Sequence, residues 1–348
     1  MDITTKETIK KYVIAIIGAL ALVFGAFSAN VFAVSVPYVN ADGTPASCAD
    51  ATVLTGTDTT TTVLTSGCYV VDGWTHLAGG RTTVSGDVVL ILTDGSFLIN
   101  NSGFAVLPGN SLTIYSQSFG VEMGTLFANV AGGNAAVGQS FVGDSLTGGG
   151  DITINGGNIT VTGGAVGMLS SPNGAIYGNV TINNGVVTAT GNADHYGGGD
   201  GIGGTVAING GTVTAIGGDS SYDPGAGISG LVSLPKSYTY WVNTTTADPG
   251  GEGTVFSNGV GVPFVNNSSY RFVRIVALDD TDDGNNGEDE YGEDNDNGLK
   301  SPESGVKYAN GDASYAIRSN CAIIVFAVVV VFIRMLCFFY NYAQKAVA

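Results

Sequence analysis

Short runs in which apolar residues alternate with Thr recur through the middle of the chain, separated by glycine-rich turns. The pattern is most regular in three near-copies of one phrase, which begin at nearly equal intervals: residues 151–164, 179–192 and 205–218. A period of two, together with many β-branched residues, favours strands that are buried on one side. A nearly fixed repeat of this kind predicts a solenoid in which each copy is one coil.

Each copy predicts three short strands and three corners. An Asn-Gly or Asn-Asn-Gly turn ends the first strand, a Gly-rich corner ends the second, and a shorter third strand follows at residues 175–176, 201–202 and 227–228. Gly and Asn suit such corners because they adopt positive φ at little steric cost. We therefore predict an all-β fold, a single-stranded parallel β-helix of about six coils over residues 87–278, including a C-terminal cap. The frequent Gly argues against long helices and a doubly wound α/β domain.

One Asn recurs at the same position of each copy, as Asn155, Asn183 and Asn209. Stacked coils would align these amides, and aligned amides form a ladder of hydrogen bonds along the solenoid axis. A catalytic role for the same residues is the alternative, and we predict the ladder.

The two ends of the chain carry apolar segments of different kinds. Residues 1–33 combine three lysines, an apolar run and small residues before Val34, which predicts a secretory signal peptide, with an uncleaved anchor as the alternative. Residues 321–340 are apolar over the length that spans a bilayer, with Arg334 towards the predicted cytoplasmic end. We predict a transmembrane helix there, a tail at 341–348 inside the cell and the solenoid outside, at the cell surface.

The Thr-rich segment 34–86 is predicted to cap the N-terminal end of the solenoid, which would otherwise expose a strand edge. Cys48 and Cys68 lie in this segment. In an exported protein they would close a loop of about twenty residues with a disulfide worth about 3 kcal/mol, and two free thiols are the alternative. Neither Cys has a His close in sequence, which argues against a zinc site or a Cys-His nucleophile.

Residues 279–320 are predicted to form an acidic, disordered linker, because residues 279–298 hold ten acidic side chains and no basic one. Asp279, Asp283 and Glu290 match three positions of a calcium loop, although Thr281 replaces a ligand and no flanking helices are evident. We predict a solvated linker and no cofactor, with weak calcium binding as the alternative.

A short motif that resembles a relaxed sortase signal precedes the C-terminal apolar segment, in the order Ser301, Pro302, Glu303, Ser304 and Gly305. Cleavage after Ser304 would attach the protein to the cell wall. The fifteen residues between this motif and the apolar segment are many for such a signal, so we predict that the membrane helix is retained.

Four aromatic residues follow the last repeat: Tyr238, Tyr240, Trp241 and Tyr270. Exposed aromatic faces pack well on sugars, and these residues are the sequence's candidates for contacting a ligand. Aromatic side chains also seal the ends of solenoids by burying large apolar areas. Sealing is the interpretation that we favour.

Several phrases together resemble the glycine-rich repeat surface proteins of gut bacteria: VLILTDG at 89–95, SLTIYSQS at 111–118, GIGG at 201–204 and INGG followed by TVTA at 208–215. The likeness covers residues 69–276. Those proteins are adhesin-like, with parallel β-helix or pectin-lyase-like architecture, and some are described as carbohydrate-binding. The resemblance implies this fold and a surface location, and it carries over no catalytic residues.

Two classes of function follow from these patterns. The first is a non-enzymatic, adhesin-like surface protein that contacts polysaccharide, a host or a neighbouring cell. The second is a polysaccharide lyase or glycoside hydrolase on the same scaffold; a hydrolase needs carboxylates that face each other. Asp194, His195 and Asp200 form the one local cluster, and Arg and Lys are absent from residues 82–235, where binding of an acidic polymer would require them. We predict the first class, and the net charge of −17 argues against nucleic acid as a partner.

Overall fold

The computed structural model describes residues 35–130, 133–142, 145–164, 174–266 and 268–278. All of them belong to one compact unit, residues 30–285. The predicted signal peptide, acidic linker, sorting motif and transmembrane helix lie outside the described residues. Within the described part, regular structure consists of strands, and no helix there is long and apolar enough to cross a membrane.

The strands are short and follow one another closely along the chain. In order, they are β1 Val36–Val39, β2 Pro45–Cys48, β3 Thr52–Asp58, β4 Val63–Leu77, β5 Thr82–Leu92, β6 Phe97–Ile99, β7 Phe104–Val106, β8 Ser111–Ser116, β9 Thr125–Asn129, β10 Val137–Gly138, β11 Phe141–Val142, β12 Ser145–Leu146, β13 Asp151–Ile154, β14 Asn158–Gly163, β15 Gly174–Ile182, β16 Val186–Gly191, β17 Asp200–Ile208, β18 Thr212–Ile216, β19 Leu231–Ser233, β20 Ser237–Asn243, β21 Thr254–Ser257, β22 Val260–Gly261 and β23 Phe272–Ala277.

These strands stack coil upon coil into three parallel sheets, which we call faces A, B and C. Face A contains residues 67–71, 87–92, 111–116, 151–154, 179–182 and 205–208. Face B contains residues 74–77, 97–99, 125–129, 158–163, 186–191 and 212–216. Face C contains residues 63–65, 82–84, 104–106, 137–138, 174–178 and 200–204. This arrangement is a parallel β-helix, and in the described ranges six coils contribute a strand to every face.

Side chains alternate between inward and outward positions along each strand, and the inward apolar ones form the core. On face A, Ile114, Ile154, Ile182 and Ile208 lie in one register column and are almost completely buried. Full burial of such a side chain contributes about 1.5–3 kcal/mol, but only when the coil on each side covers it. Each coil therefore depends on its neighbours for stability.

The stack begins earlier in the chain than the sequence pattern predicts. Residues 52–85, which fall within the predicted cap at 34–86, already form parallel strands, and Leu64 and Val84 are buried in the core. The antiparallel hairpin β1–β2 instead packs on the outer side of face A, where Tyr38 lies on Tyr115 with ring centroids 4.3 Å apart. The first strand of the stack is β3, which pairs in parallel with β4. A disulfide joins Cys48 to Cys68, with Cα atoms 6.5 Å apart, and so ties the hairpin to the first complete coil.

The other end of the solenoid is closed by antiparallel strands. β23 pairs with β18 on face B, and β20, β21 and β22 continue the sheet beyond it. Because β23 occupies the free edge of β18, no further parallel strand can pair there, and the stack ends on face B. The last edge strand, β22, is two residues long, which limits pairing with other chains.

The predicted asparagine ladder is confirmed. The side-chain amide of Asn183 donates to Oδ1 of Asn155 at 2.7 Å, and that of Asn209 donates to Oδ1 of Asn183 at 2.8 Å. Asn155 is buried, while Asn209 is exposed at the end of the row. The ladder therefore links three coils at the corner that follows face A.

A partly buried arginine joins three coils at the corner before face C. The guanidinium of Arg81 donates to the carbonyl oxygens of Ser102, Phe104, Ala135 and Gln139 at 2.9–3.1 Å. Burial lowers its pKa to about 10, so the group stays charged at neutral pH. Carbonyl groups from successive corners thus share one cation.

Replacement of the central ladder residue should cost more than replacement of the last one. Asn183→Ala removes two amide hydrogen bonds and should lower the free energy of unfolding by about 2 kcal/mol, whereas Asn209→Ala removes one exposed bond and should cost about half as much. Urea denaturation of both variants measures the difference, and equal losses would contradict the ladder.

Loss of the Arg81 guanidinium should be more severe. Arg81→Met keeps much of the apolar stem but removes four hydrogen bonds to carbonyl groups, so we expect a loss of about 3 kcal/mol or more in unfolding free energy. Lys236→Met, at an exposed position, is the control and should be neutral. Thermal and urea denaturation measure both; a neutral Arg81→Met would contradict this role.

Candidate functional site

The aromatic residues of the C-terminal cap do not form one exposed platform. Tyr238 is buried, and its hydroxyl accepts a hydrogen bond from the backbone N–H of Phe264 at 2.9 Å. Tyr240 packs edge-on against Phe264, with ring centroids 5.5 Å apart, and Tyr270 also lies beside Phe264. These contacts favour the sealing role for Tyr238, Tyr240 and Tyr270.

Trp241 lies on the opposite side of β20 from Tyr238 and Tyr240, because neighbouring strand residues alternate between faces. Its ring packs under the guanidinium of Arg274 at 4.0 Å, and Nε1 donates to the carbonyl of Gly251 at 2.9 Å. Arg274 in turn pairs with Asp248 at 2.8 Å. The indole is thus held by partners within the cap.

Two loops stack on each other at the corner between faces B and C. They are residues 192–199, which follow β16, and residues 217–227, which follow β18. The backbone N–H of Asp194 donates to the carbonyl of Asp219, and that of Gly198 donates to the carbonyl of Asp223. Coil stacking therefore continues into the loops and fixes one against the other.

Glycine at the base of the loops allows this close approach. A Cβ on Gly218 would overlap the carbonyl oxygen of Asn192, and one on Gly225 would overlap that of Gly199. Backbone packs directly on backbone here, so the loop tips above it are held in register.

Three rings from the two loops form an exposed cluster, which we call the Tyr-His cluster: His195, Tyr196 and Tyr222. The tyrosine rings are nearly parallel, with centroids 6.0 Å apart, and His195 packs edge-on against Tyr196 at 4.7 Å and Tyr222 at 5.4 Å. Tyr196 is 44% exposed and Tyr222 is 73% exposed. Large rings held by one another yet open to solvent are a feature of ligand contact sites.

Hydrogen bonds and an ion pair hold the loops beneath the rings. Oδ1 of Asp194 accepts from the backbone N–H of Tyr196 at 3.0 Å, and the hydroxyl of Ser220 donates to the carbonyl of His195 at 3.2 Å. Asp219 pairs with Arg271 at 2.6 Å, and the same arginine donates to the carbonyl of Gly218. Arg271, which directly precedes the cap strand β23, thus helps to position the cluster.

The structure separates the three residues that the sequence groups as a catalytic candidate. Asp194 caps its own loop and His195 belongs to the exposed cluster, but Asp200 is buried, and its Oδ1 accepts from the backbone N–H of Ala226 at 2.8 Å. Burial raises the pKa of Asp200, with hydrogen bonds from Ser229 and Ala226 opposing the rise in part. Asp194 and Asp200 do not face each other across an open cleft.

The sequence pattern does not single out Tyr196 and Tyr222, because each stands alone in a polar, Gly-rich loop. Their separation along the chain equals that of the ladder residues Asn183 and Asn209, which is the spacing of the last two repeats. That equality is the signal by which they could have been found, since aromatic residues one period apart occupy equivalent places on adjacent coils.

No metal site accompanies the cluster within the described ranges, where no group of three or more His, Cys, Asp or Glu residues is placed to hold a metal ion. The calcium candidates Asp279, Asp283 and Glu290 lie outside those ranges, as do the sorting-motif residues 301–305.

Comparison with known proteins supports the fold. A family model described as a β-helix repeat matches residues 180–205 and 206–230, which are two successive coils of this solenoid. No curated protein and no solved structure matches the chain. The chain is thus a parallel β-helix repeat protein in this region, and both adhesin-like proteins and pectin-lyase-like enzymes share such a fold.

Removal of the buried carboxylate should change how stability depends on pH. Because burial raises the pKa of Asp200 in the folded state, ionisation of this group opposes folding, and its cost disappears as pH falls below the pKa of the unfolded chain. Asp200→Asn keeps an acceptor for Ala226 and should raise the unfolding midpoint at neutral pH. The gain should shrink as pH falls, and thermal denaturation across the acidic range measures it; a gain that grows at low pH would contradict the assignment.

Proposed function

We propose that this protein is a non-enzymatic, adhesin-like surface protein that holds a saccharide against the Tyr-His cluster. The observation that carries the proposal is a set of three exposed rings fixed on two stacked loops. The apolar faces of sugar rings pack on aromatic faces, and hydroxyl and imidazole groups at the ring edges supply hydrogen bonds. The resemblance to gut bacterial surface proteins points to the same class of ligand.

The rigidity of the cluster favours binding. Stacked loops with backbone hydrogen bonds lose little conformational entropy when a ligand binds, and a preorganised site keeps more of its contact energy as affinity. The acidic groups around it, Asp194, Asp219 and Asp223, favour a neutral saccharide over an acidic one because they repel negative charge.

A binding role is preferred over hydrolysis for a specific reason. Asp194 accepts a bond within its own loop, Asp219 is paired with Arg271, and Asp200 is buried. A glycosidase needs one carboxyl group as acid and a second as base or nucleophile, both facing the same bond. We propose that the chain lacks this pair and retains its ligand uncleaved.

The location at the cell surface is part of the same proposal. It rests on the predicted export signal at 1–33 and the predicted membrane helix at 321–340, with cell-wall attachment as the alternative. The acidic segment 279–320 would then serve as a stalk that holds the solenoid away from the membrane.

A glycan array probed with the full chain tests the proposal. We expect retention on one or more neutral glycans, and Tyr222→Ala should weaken binding at least ~10-fold, which corresponds to ~1.4 kcal/mol. Tyr222→Phe keeps the ring and should bind nearly as well as the parent chain. Ser221→Ala, in the same loop, is the matched control and should leave binding unchanged.

Product analysis of each retained glycan after long incubation separates the two functional classes. Intact glycan supports the adhesin-like function. Shortened or unsaturated fragments that disappear in Asp194→Asn would instead establish an enzyme and overturn the proposal.

A further inference from the structure

Face B presents a second group of exposed rings, several coils away from the Tyr-His cluster along the solenoid axis. One outward register column runs through Trp74, Phe97, Thr125, Asn158, Val186 and Thr212. Trp74 is 53% exposed and Phe97 is 36% exposed, while the inward neighbours Thr75 and Leu98 are completely buried. The aromatic end of this column therefore faces solvent.

The next outward column supplies further apolar and hydroxyl groups. It runs through His76, Ile99, Phe127, Thr160, Thr188 and Thr214. His76 packs edge-on against Trp74 at 6.0 Å, and Phe127 stacks on Phe97 at 6.4 Å. We call the five residues Trp74, His76, Phe97, Ile99 and Phe127 the face B strip.

Face B differs from the rest of the protein in charge. Among its described strand residues from Trp74 to Ile216, there is no Asp, Glu, Lys or Arg, although the whole chain carries 29 acidic and 12 basic residues. The neighbouring strands carry the nearest charges in register: Arg274 on the cap strand pairs with Thr214 at one end, and Asp58 on β3 pairs with Leu77 at the other. The carboxylate of Asp58 accepts hydrogen bonds from the backbone N–H groups of Thr60 and Thr61. Strand residues without charge give no electrostatic attraction to a charged ligand. A neutral ligand can bind on them without removing water from a charged side chain.

We propose that face B is a docking surface for a neutral polysaccharide, whose sugar rings stack on the face B strip while its hydroxyl groups bond to the threonines beyond. Neighbouring coils place equivalent side chains about 4.8 Å apart, so a polymer along the axis meets one row of side chains after another. Face B also continues directly into the site already proposed, because β16 and β18 lead into the two loops of the Tyr-His cluster. This docking surface goes beyond that site and rests on separate residues.

The experiment is co-sedimentation of the full chain with insoluble cellulose and chitin, with immobilised polygalacturonate as the acidic polymer. The test variants are Trp74→Thr and the pair Trp74→Thr with Phe97→Thr. Threonine is chosen because Thr125 already occupies the same column, so the strands should be preserved. Phe119→Thr is the matched control, since Phe119 is also 36% exposed but lies outside face B. Circular dichroism establishes that each variant is folded.

We expect retention on cellulose or chitin and none on polygalacturonate. The double variant should bind at least ~10-fold more weakly, the single variant should be intermediate, and Phe119→Thr should match the parent chain. Unchanged affinity in the double variant, or equal retention on polygalacturonate, would overturn the proposal, as would failure of the parent chain to bind either neutral polymer.

Two further arms separate binding at face B from binding at the Tyr-His cluster and from self-association. Tyr222→Ala is tested on the same polymers; if it binds normally while the face B variants do not, these polymers bind at face B, and the glycan array decides the Tyr-His proposal separately. Sedimentation velocity is run on every variant. A parent chain that self-associates, and a double variant that is monomeric, would show that a second copy of the chain covers face B instead.

Discussion

Parallel hydrogen bonding between successive coils is the constraint on which the rest of this structure depends. Every inward residue is covered only because the coil beside it is in register, as in the isoleucine column on face A. The same register aligns Asn155, Asn183 and Asn209 into a ladder. A shift of one residue would turn each buried side chain outward, so the register is strongly specified.

Register also explains why the candidate ligand sites have the form they do. Outward residues of neighbouring coils must fall into rows, and loops at one corner must stack, as residues 192–199 and 217–227 do. Aromatic rings one repeat apart, such as those of Tyr196 and Tyr222, are therefore brought together by the stacking of the coils alone. The antiparallel cap occupies the last strand edge of face B, and the hairpin β1–β2 covers part of the outer side of face A.

Sequence alone predicts the parallel β-helix, the third short strands and the asparagine ladder, because these depend on the regular repeat between residues 151 and 218. The sequence pattern predicts that the stack begins at residue 87, but parallel strands already occur within residues 52–85, where the coils are shorter. Val63 pairs with Thr83, and these two lie closer in the chain than the later partners Asp151 and Asn179, or Asn179 and Thr205. When coil lengths differ, the sequence does not show which residues pair between neighbouring coils, and the first coils cannot be recognised as repeats.

The ligand sites are harder to predict than the fold for a related reason. Trp74, Phe97 and Phe127 are separated by corners of unequal length, so only the paired register shows that they share a face. The cap aromatics draw attention because they are close in sequence, yet Tyr238 is buried and Trp241 points to the other side of its strand. Proximity in sequence is a weak guide to proximity on a solenoid surface.

Hydrogen–deuterium exchange of the full chain, with and without a saturating neutral oligosaccharide that it retains, tests whether the ligand contacts the stacked loops. We expect slower exchange in loops 192–199 and 217–227, with the cap strands β21 and β22 unchanged. Protection confined to the cap, or no change in the loops at saturation, would contradict this expectation.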